Sequence, residues 1–239
     1  MKLSEFPELK EVWHGQLPFS FFSNLNRLVV DEYVYSNCSV PSNLLPLLNN
    51  LGELEVRNCD SVEQVFGLME RQHAIGVSGY LSKLSKLLLV DLPKLRLLSN
   101  EFPKQSFDFK NLKILELHCC DRLRYIFTRT MCFVLLSLQK LAVRSCDMLE
   151  EIITQGSAGE ETMEEIILPL LNSISLESLP RLTNFCSGSG NMQCPSLKEM
   201  IISDCPTTFT CTFLGAKAEP NAAHRIIEPK VSYVYCNLD

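Results

Sequence analysis

The sequence predicts an α/β-type solenoid of short repeats, in which each repeat adds one strand to a parallel β-sheet. The first observation is the segment NLKILELHCCDRLRYIF at residues 111–127, which has the spacing L-x-x-L-x-L-x-x-C-x-x-L. This spacing is the signature of a leucine-rich repeat. The second observation is that the pattern recurs along the chain, and the third is that its apolar columns persist in every copy. Together they predict a horseshoe with a curved parallel sheet on its concave side and mostly irregular or short helical return segments.

A common numbering describes all the copies. The first leucine of each repeat is position zero, so that Leu115 and Leu117 lie at +3 and +5 of the repeat that begins at Leu112. All 21 residues at zero, +3 and +5 are aliphatic. Their period-two spacing indicates one short strand per repeat with one buried face. The zero positions, spaced 26, 33, 28, 26, 33 and 26 residues apart, are Leu25, Leu51, Leu84, Leu112, Leu138, Leu171 and Leu197.

Residue +8 is predicted to turn the chain out of each strand. It is either a cysteine, as at Cys120 and Cys146, or a leucine followed by proline, as at Leu92 and Leu179. A buried thiol behaves as a small hydrophobe, and a proline ends a strand where its missing N–H does no harm. Both versions are therefore expected to fill the same corner of the core.

The repeats predict a single domain over residues 1–211, followed by a non-repeat tail or cap at 212–239. Residues 3–12 match the later half of a repeat, so we expect the chain to open inside a repeat and to be a fragment, a truncated gene product or a mispredicted gene model. Two longer repeats carry insertions at Glu70–Tyr80 and Thr154–Glu165. Both insertions are expected to be exposed loops on the return side.

Composition and charge exclude several classes of protein. No apolar run is long enough to span a bilayer, and the first residues lack the apolar stretch of a secretory signal, so we predict a cytoplasmic protein with no membrane span. Eleven cysteines in such a chain are expected to be reduced thiols, and their spacing does not match a metal site. A net charge of −6 opposes nonspecific binding to nucleic acid.

Motifs for catalysis or cofactor binding are sparse. The sequence has neither a G-x-x-x-x-G-K-[ST] phosphate loop nor a G-x-G-x-x-G motif, so no cofactor is predicted. His118 beside Cys119 raises the alternative of a cysteine-dependent enzyme. The repeat numbering instead places both on the concave surface, where no third group orients them. We therefore predict a non-enzymatic protein and interpret the glutamates between Glu150 and Glu165 as a solvated acidic loop.

The candidate functional surface is the solvent-facing side of the predicted sheet, at positions +2, +4 and +6. These side chains differ in kind between repeats, as a recognition surface on a solenoid requires. Opposite charges on neighbouring strands, such as Asp31 with Arg57 and Arg144 with Glu177, are equally expected on a surface that binds nothing. The candidate partner-binding residues are Arg27, Asp31, Glu53, Glu55, Arg57, Lys86, Leu88, Ile114, Glu116, His118, Lys140, Arg144, Glu177 and Glu199.

Specific phrases add a family resemblance. Units of the type CDxLxxIF alternate with units of the type LPxLxxF, and the chain contains FPELKEVWHGQLP, SLQKLAVRSCDMLEEII and CPSLKEMIISDCP. These phrases closely resemble the C-terminal leucine-rich repeats of plant disease-resistance proteins of the coiled-coil, nucleotide-binding, leucine-rich-repeat class. The resemblance runs from Leu3 to about Cys211 and does not cover the tail.

The resemblance implies a sensor or autoinhibitory repeat domain that acts in plant defence by binding protein. The expected partner is a pathogen effector, a host guard target or the nucleotide-binding domain of a receptor. No nucleotide-binding switch is present in the sequence, so ATP binding and signalling do not carry over. The alternatives are a non-immune leucine-rich-repeat adaptor and a truncated remnant without independent activity.

Overall fold

A computed structural model describes residues 22–33, 37–67, 79–99, 108–155, 165–186, 192–209 and 213–214. Helix is confined there to a 3-10 turn at Leu45–Leu47 and the single-turn helix α1 at Arg129–Cys132. The strands are β1 (Arg27–Asp31), β2 (Cys38–Val40), β3 (Glu53–Arg57), β4 (Gln64–Phe66), β5 (Lys86–Val90), β6 (Leu97–Ser99), β7 (Ile114–His118), β8 (Tyr125–Thr128), β9 (Lys140–Arg144), β10 (Glu151–Thr154), β11 (Ile166–Ile167), β12 (Ser173–Glu177), β13 (Asn184–Cys186), β14 (Met192–Gln193), β15 (Glu199–Ser203) and β16 (Phe213–Leu214).

Seven five-residue strands form the main sheet, in the order β1-β3-β5-β7-β9-β12-β15. All neighbouring pairs are parallel. Equivalent repeat positions lie opposite one another across the whole sheet; for example, Leu87 is opposite Leu115, which is opposite Leu141. The predicted solenoid, its parallel sheet and its repeat register are confirmed.

The core lies under one face of this sheet. In the first six strands every side chain at +3 and +5 is at most 1% exposed. Burial of each such side chain stabilises the fold by about 1.5–3 kcal/mol relative to exposure. In β15 the equivalent residues, Met200 and Ile202, are only partly buried. Each repeat thus buries its apolar face against its neighbours, as in other solenoids.

The corner after each strand is built as predicted, with one feature that the sequence analysis does not foresee. Cys59, Cys120 and Cys146 at +8 are fully buried, as are Leu92 and Leu179. The residue before each of them, at +7, has φ between 51° and 53° in all seven repeats, although none is glycine. Since this left-handed conformation is unfavourable for most side chains, it marks a turn enforced by tertiary structure.

Hydrogen bonds explain why that conformation is retained. The +7 amide N–H donates to the +6 carbonyl of the next strand at 2.9–3.2 Å in six repeats. The thiols of Cys59, Cys120, Cys146 and Cys205 donate to the +6 carbonyl of their own repeat at 3.0–3.6 Å. The turn therefore gives hydrogen-bond partners to backbone groups that would otherwise have none where the strand ends.

The return side contains short strands that the sequence analysis does not predict. They form three parallel ladders, β2-β4-β6, β8-β10-β13 and β11-β14-β16. Tyr80, predicted to lie in an exposed loop, is 2% exposed and belongs to the core, so that prediction is wrong at its last residue. Its aromatic ring is more stable against the apolar interior than in water. Thr154 likewise ends strand β10 rather than starting a loop.

Several predictions fall outside the described residues. These are the half repeat at residues 3–12, most of the two insertions, and nearly all of the tail at 212–239. Strand β16 pairs with β14 just beyond residue 211. The boundary between repeat domain and tail stays a prediction.

Candidate recognition surface on the concave face

Fourteen predicted surface residues lie in three ordered rows on the main sheet, opposite the core. We call the side chains at +2, +4 and +6 of the seven strands the concave face. Arg27, Glu53, Lys86 and Ile114 lie in register in the +2 row, and Asp31, Arg57, Val90 and His118 in the +6 row. Because the register is unbroken, residues from distant repeats share one surface.

At the N-terminal end of the concave face, ionic groups neutralise one another. Arg27 contacts Glu53 at 3.5 Å and Glu55 at 3.0 Å. Arg57 contacts Glu55 at 3.0 Å and Asp31 at 3.2 Å, as the repeat numbering predicts for Asp31. Glu55 and Asp31 are nearly buried, at 9% and 6% exposure. Charges that are removed from water in this way need such partners, so this cluster has a structural role.

Toward the other end, ion pairs again join adjacent strands. Lys140 contacts Glu116 at 2.7 Å, and Arg144 contacts Glu177 at 2.8 Å. The hydrogen bond from Lys140 lowers the pKa of Glu116, and those from Arg144 and Ser175 lower the pKa of Glu177. Glu199 accepts a hydrogen bond from the hydroxyl of Ser173 at 3.1 Å. These contacts are partly exposed, so each stabilises the fold only slightly.

Between the two charged regions lies an apolar centre. Leu88, Val90 and Ile114 occupy adjoining places on β5 and β7, and all three are half-buried. Lys86 and His118 flank them, with no ion pair to any described residue. Leu88 and Ile114 are among the predicted partner-binding residues, whereas Val90 is not, although its +6 position is a signal that could have found it. An apolar patch with a polar rim is the usual composition of the centre of a protein interface.

The geometry at His118 and Cys119 disfavours thiolate chemistry. Cys119 lies after the end of β7, in the left-handed turn, rather than in a row of the concave face with His118. Burial and the carboxylate of Asp91 raise the pKa of its thiol. A cysteine nucleophile requires the opposite shift. Burial likewise raises the pKa of Cys59 to about 11 and that of Cys38 to about 12.

The described residues hold neither a cluster of metal ligands nor a membrane-spanning helix. Nowhere in the described ranges do three His, Cys, Asp or Glu side chains converge as metal ligands. No helix among them combines the length and the apolar character needed to cross a bilayer. None of the nine cysteines that the structure describes forms a disulfide with another of them.

Comparisons with known proteins agree with the repeat architecture. A family profile described as leucine-rich repeats of RPS2-like plant disease resistance proteins matches residues 1–147 and 130–213. A probable disease resistance protein of Arabidopsis thaliana is 28% identical over 106 residues, which are 44% of this chain. The matched stretch spans only 11% of the length of that relative. No solved structure matches the chain.

Proposed function

The chain belongs to the leucine-rich-repeat family of RPS2-like plant disease resistance proteins, and from this we propose that it is a protein-recognition module of plant defence. Repeats of this family are generally non-catalytic, and leucine-rich repeats generally mediate protein interactions. In this proposal the module acts in the cytoplasm without a cofactor. Its partner is a pathogen effector, a host guard target or the nucleotide-binding domain of a receptor.

The observation that carries the proposal is the separation of ion-paired and apolar side chains on the concave face. Ion pairs hold most of its charged side chains in place, whereas Leu88, Val90 and Ile114 keep part of their apolar surface in water. Water-exposed apolar groups at the middle of a rigid sheet gain the most from being covered. The surrounding ion pairs are already formed in the free protein, so these side chains of the module lose little further entropy when a partner binds.

A matched pair of leucine substitutions tests this surface. Partners are first found by an interaction screen with the full 239-residue chain. Each is then titrated with the wild type, with Leu88→Asp on the concave face and with Leu136→Asp, which replaces a leucine that is 50% exposed on the return side. We expect Leu88→Asp to weaken binding about tenfold or more, as for an interface hot spot, and Leu136→Asp to leave it unchanged.

Circular dichroism of both variants checks that each one folds. An equal loss of binding affinity in the two variants, or no loss of affinity in Leu88→Asp, would show that the partner contacts another part of the molecule. Ile114→Asp extends the test to the neighbouring strand and separates a contact at the apolar centre from one confined to β5.

A further inference from the structure

A second row of hydrogen bonds runs along the return side at position +12, and it is interrupted at one step. Backbone amides join successive residues of the row at 2.8–2.9 Å: Glu63 donates to Asn37, Arg96 to Glu63, Glu150 to Arg124 and Thr183 to Glu150. Within the described residues, neither Arg124 nor Tyr125 donates to the carbonyl of Arg96. The ladders β2-β4-β6 and β8-β10-β13 accordingly end on either side of this gap.

The interruption falls at the one step of the described row where two like charges meet. Arg124 forms an ion pair with Glu150 at 2.8 Å across an intact step, and Glu63 and Arg96 are opposite charges across another. At the gap, two arginines, Arg96 and Arg124, would face each other. Like charges on adjacent strands repel, and a parallel ladder would hold them roughly 5 Å apart.

The gap opens into a cleft of about 360 Å³. Its lining residues are Arg96, Arg122 and Arg124, together with Asn37, Glu63, Gln64, Leu97 and Tyr125. The three arginines against Glu63 give the lining residues a charge of +2, which falls to +1 when the Glu150 carboxylate paired with Arg124 is included, in a chain whose net charge is −6. Arg96 and Arg122 make no ion pair with a described residue, so their guanidinium groups are available to a ligand.

We propose that this cleft is a binding site for a small phosphate-bearing anion, held by the guanidinium groups of Arg96 and Arg122, with Arg124 beside them in its ion pair with Glu150. Guanidinium donors match the oxygens of a phosphate in pairs, so two arginines that lack an ion pair to a described residue suit a phosphate-bearing ligand in this cleft. The volume is that of a small-molecule site. The anion neutralises the repulsion between Arg96 and Arg124. This site is on the return side and does not depend on the proposed function of the concave face.

Titration calorimetry with inorganic pyrophosphate tests the proposal at constant ionic strength. The full chain is compared with Arg122→Gln and with Arg181→Gln. Arg181 is the matched control because it has the same repeat position, +10, is exposed, and does not line the cleft. We expect saturable 1:1 binding that Arg122→Gln weakens about tenfold or more, as for the loss of a charged hydrogen bond, while Arg181→Gln leaves it unchanged.

Two further substitutions test the contribution of other charged residues to anion binding. Arg96→Gln should weaken binding as strongly as Arg122→Gln, and Glu63→Gln should tighten it severalfold by removing a repelling charge. All four substitutions are made in exposed or half-exposed side chains, and circular dichroism verifies the fold. Absence of binding to the wild type, or equal weakening by Arg122→Gln and Arg181→Gln, would overturn the proposal.

Discussion

The two faces of the seven-stranded sheet are built from alternate residues of the same strands, yet they follow different rules. In β7, Leu115 and Leu117 point into the core and are fully buried, whereas Ile114, Glu116 and His118 between them are half-buried on the concave face. The core face has the same class of residue in every repeat. Each row of the concave face instead mixes charged, apolar and hydroxyl-bearing residues.

This difference indicates which positions of the repeat can contribute to partner recognition. A core side chain must fit its neighbours at nearly crystalline density, so a change of charge or volume there is costly. An exposed side chain on the concave face can contact water instead of protein, so its substitution costs little stability. The same kind of substitution should therefore lower the free energy of unfolding much more on the core face than on the concave face.

The largest effect is expected for Leu115→Asp on the core face. The substitution buries an unpaired carboxylate in place of a leucine that is 0% exposed, and we expect a loss of about 4 kcal/mol or more in the free energy of unfolding. Urea denaturation followed by circular dichroism measures it. The control is Ile114→Asp, one residue away on the other face, which should cost less than about 1.5 kcal/mol. Similar stability of the two variants would contradict the assignment of the faces.

An intermediate effect is expected at the turn that separates the strands from the return segments. Ser145 has a φ of 52°, and its amide donates to the carbonyl of Glu177 at 3.0 Å. Ser145→Val should destabilise the protein by about 1–2 kcal/mol, because a β-branched residue is strained in the left-handed region. Ser145→Gly, which accepts that conformation, should remain within about 1 kcal/mol of the wild type. If valine is tolerated as well as glycine, the turn relaxes to another conformation.

A smaller effect is expected for Arg144→Glu on the concave face. Arg144 is more than half exposed, and its ion pair with Glu177 lies largely in water. Charge reversal should cost less than about 1 kcal/mol of stability. The double variant with Glu177→Arg restores opposite charges and should recover most of that loss in the same denaturation experiment. A loss as large as that of Leu115→Asp would show that this face packs like the core.

The smallest effect is a dependence of stability on pH. The pKa of Glu177 is lowered in the folded state by Arg144 and Ser175. A carboxyl group with a lowered folded pKa stabilises the protein above its unfolded value of 4.5, and that contribution is lost as the pH falls below it. Glu177→Gln should therefore narrow the difference in stability between pH 7 and pH 4. A difference identical to that of the wild type would show that the ion pair contributes no net stability.

Much of the fold could be predicted because the repeat supplies the same information seven times. The strand positions, the register of Leu115 between Leu87 and Leu141, and the burial of Cys120 all follow from the columns, and the structure agrees. The contact of Arg57 with Asp31 also follows from the register alone. Residues that lie outside the columns were predicted less well, as the buried Tyr80 shows.

The candidate cleft on the return side was not predicted. Arg96 and Arg124 are 28 residues apart, and each looks like an ordinary exposed arginine until the +12 row is traced through the structure. Their alignment at +12 is visible in the sequence and could have indicated that two arginines meet on neighbouring repeats. The missing hydrogen bonds between them are visible only in three dimensions.

The sequence by itself determined the sheet, because every strand repeats one alternation of apolar and polar residues and only one register buries all of the apolar ones. It also determined which side chains share the concave face. Tertiary structure alone decided the left-handed turn at +7, the short return-side ladders and the gap between Arg96 and Arg124. The physical reason is that these features depend on hydrogen bonds and charges between neighbouring repeats, which no single repeat contains.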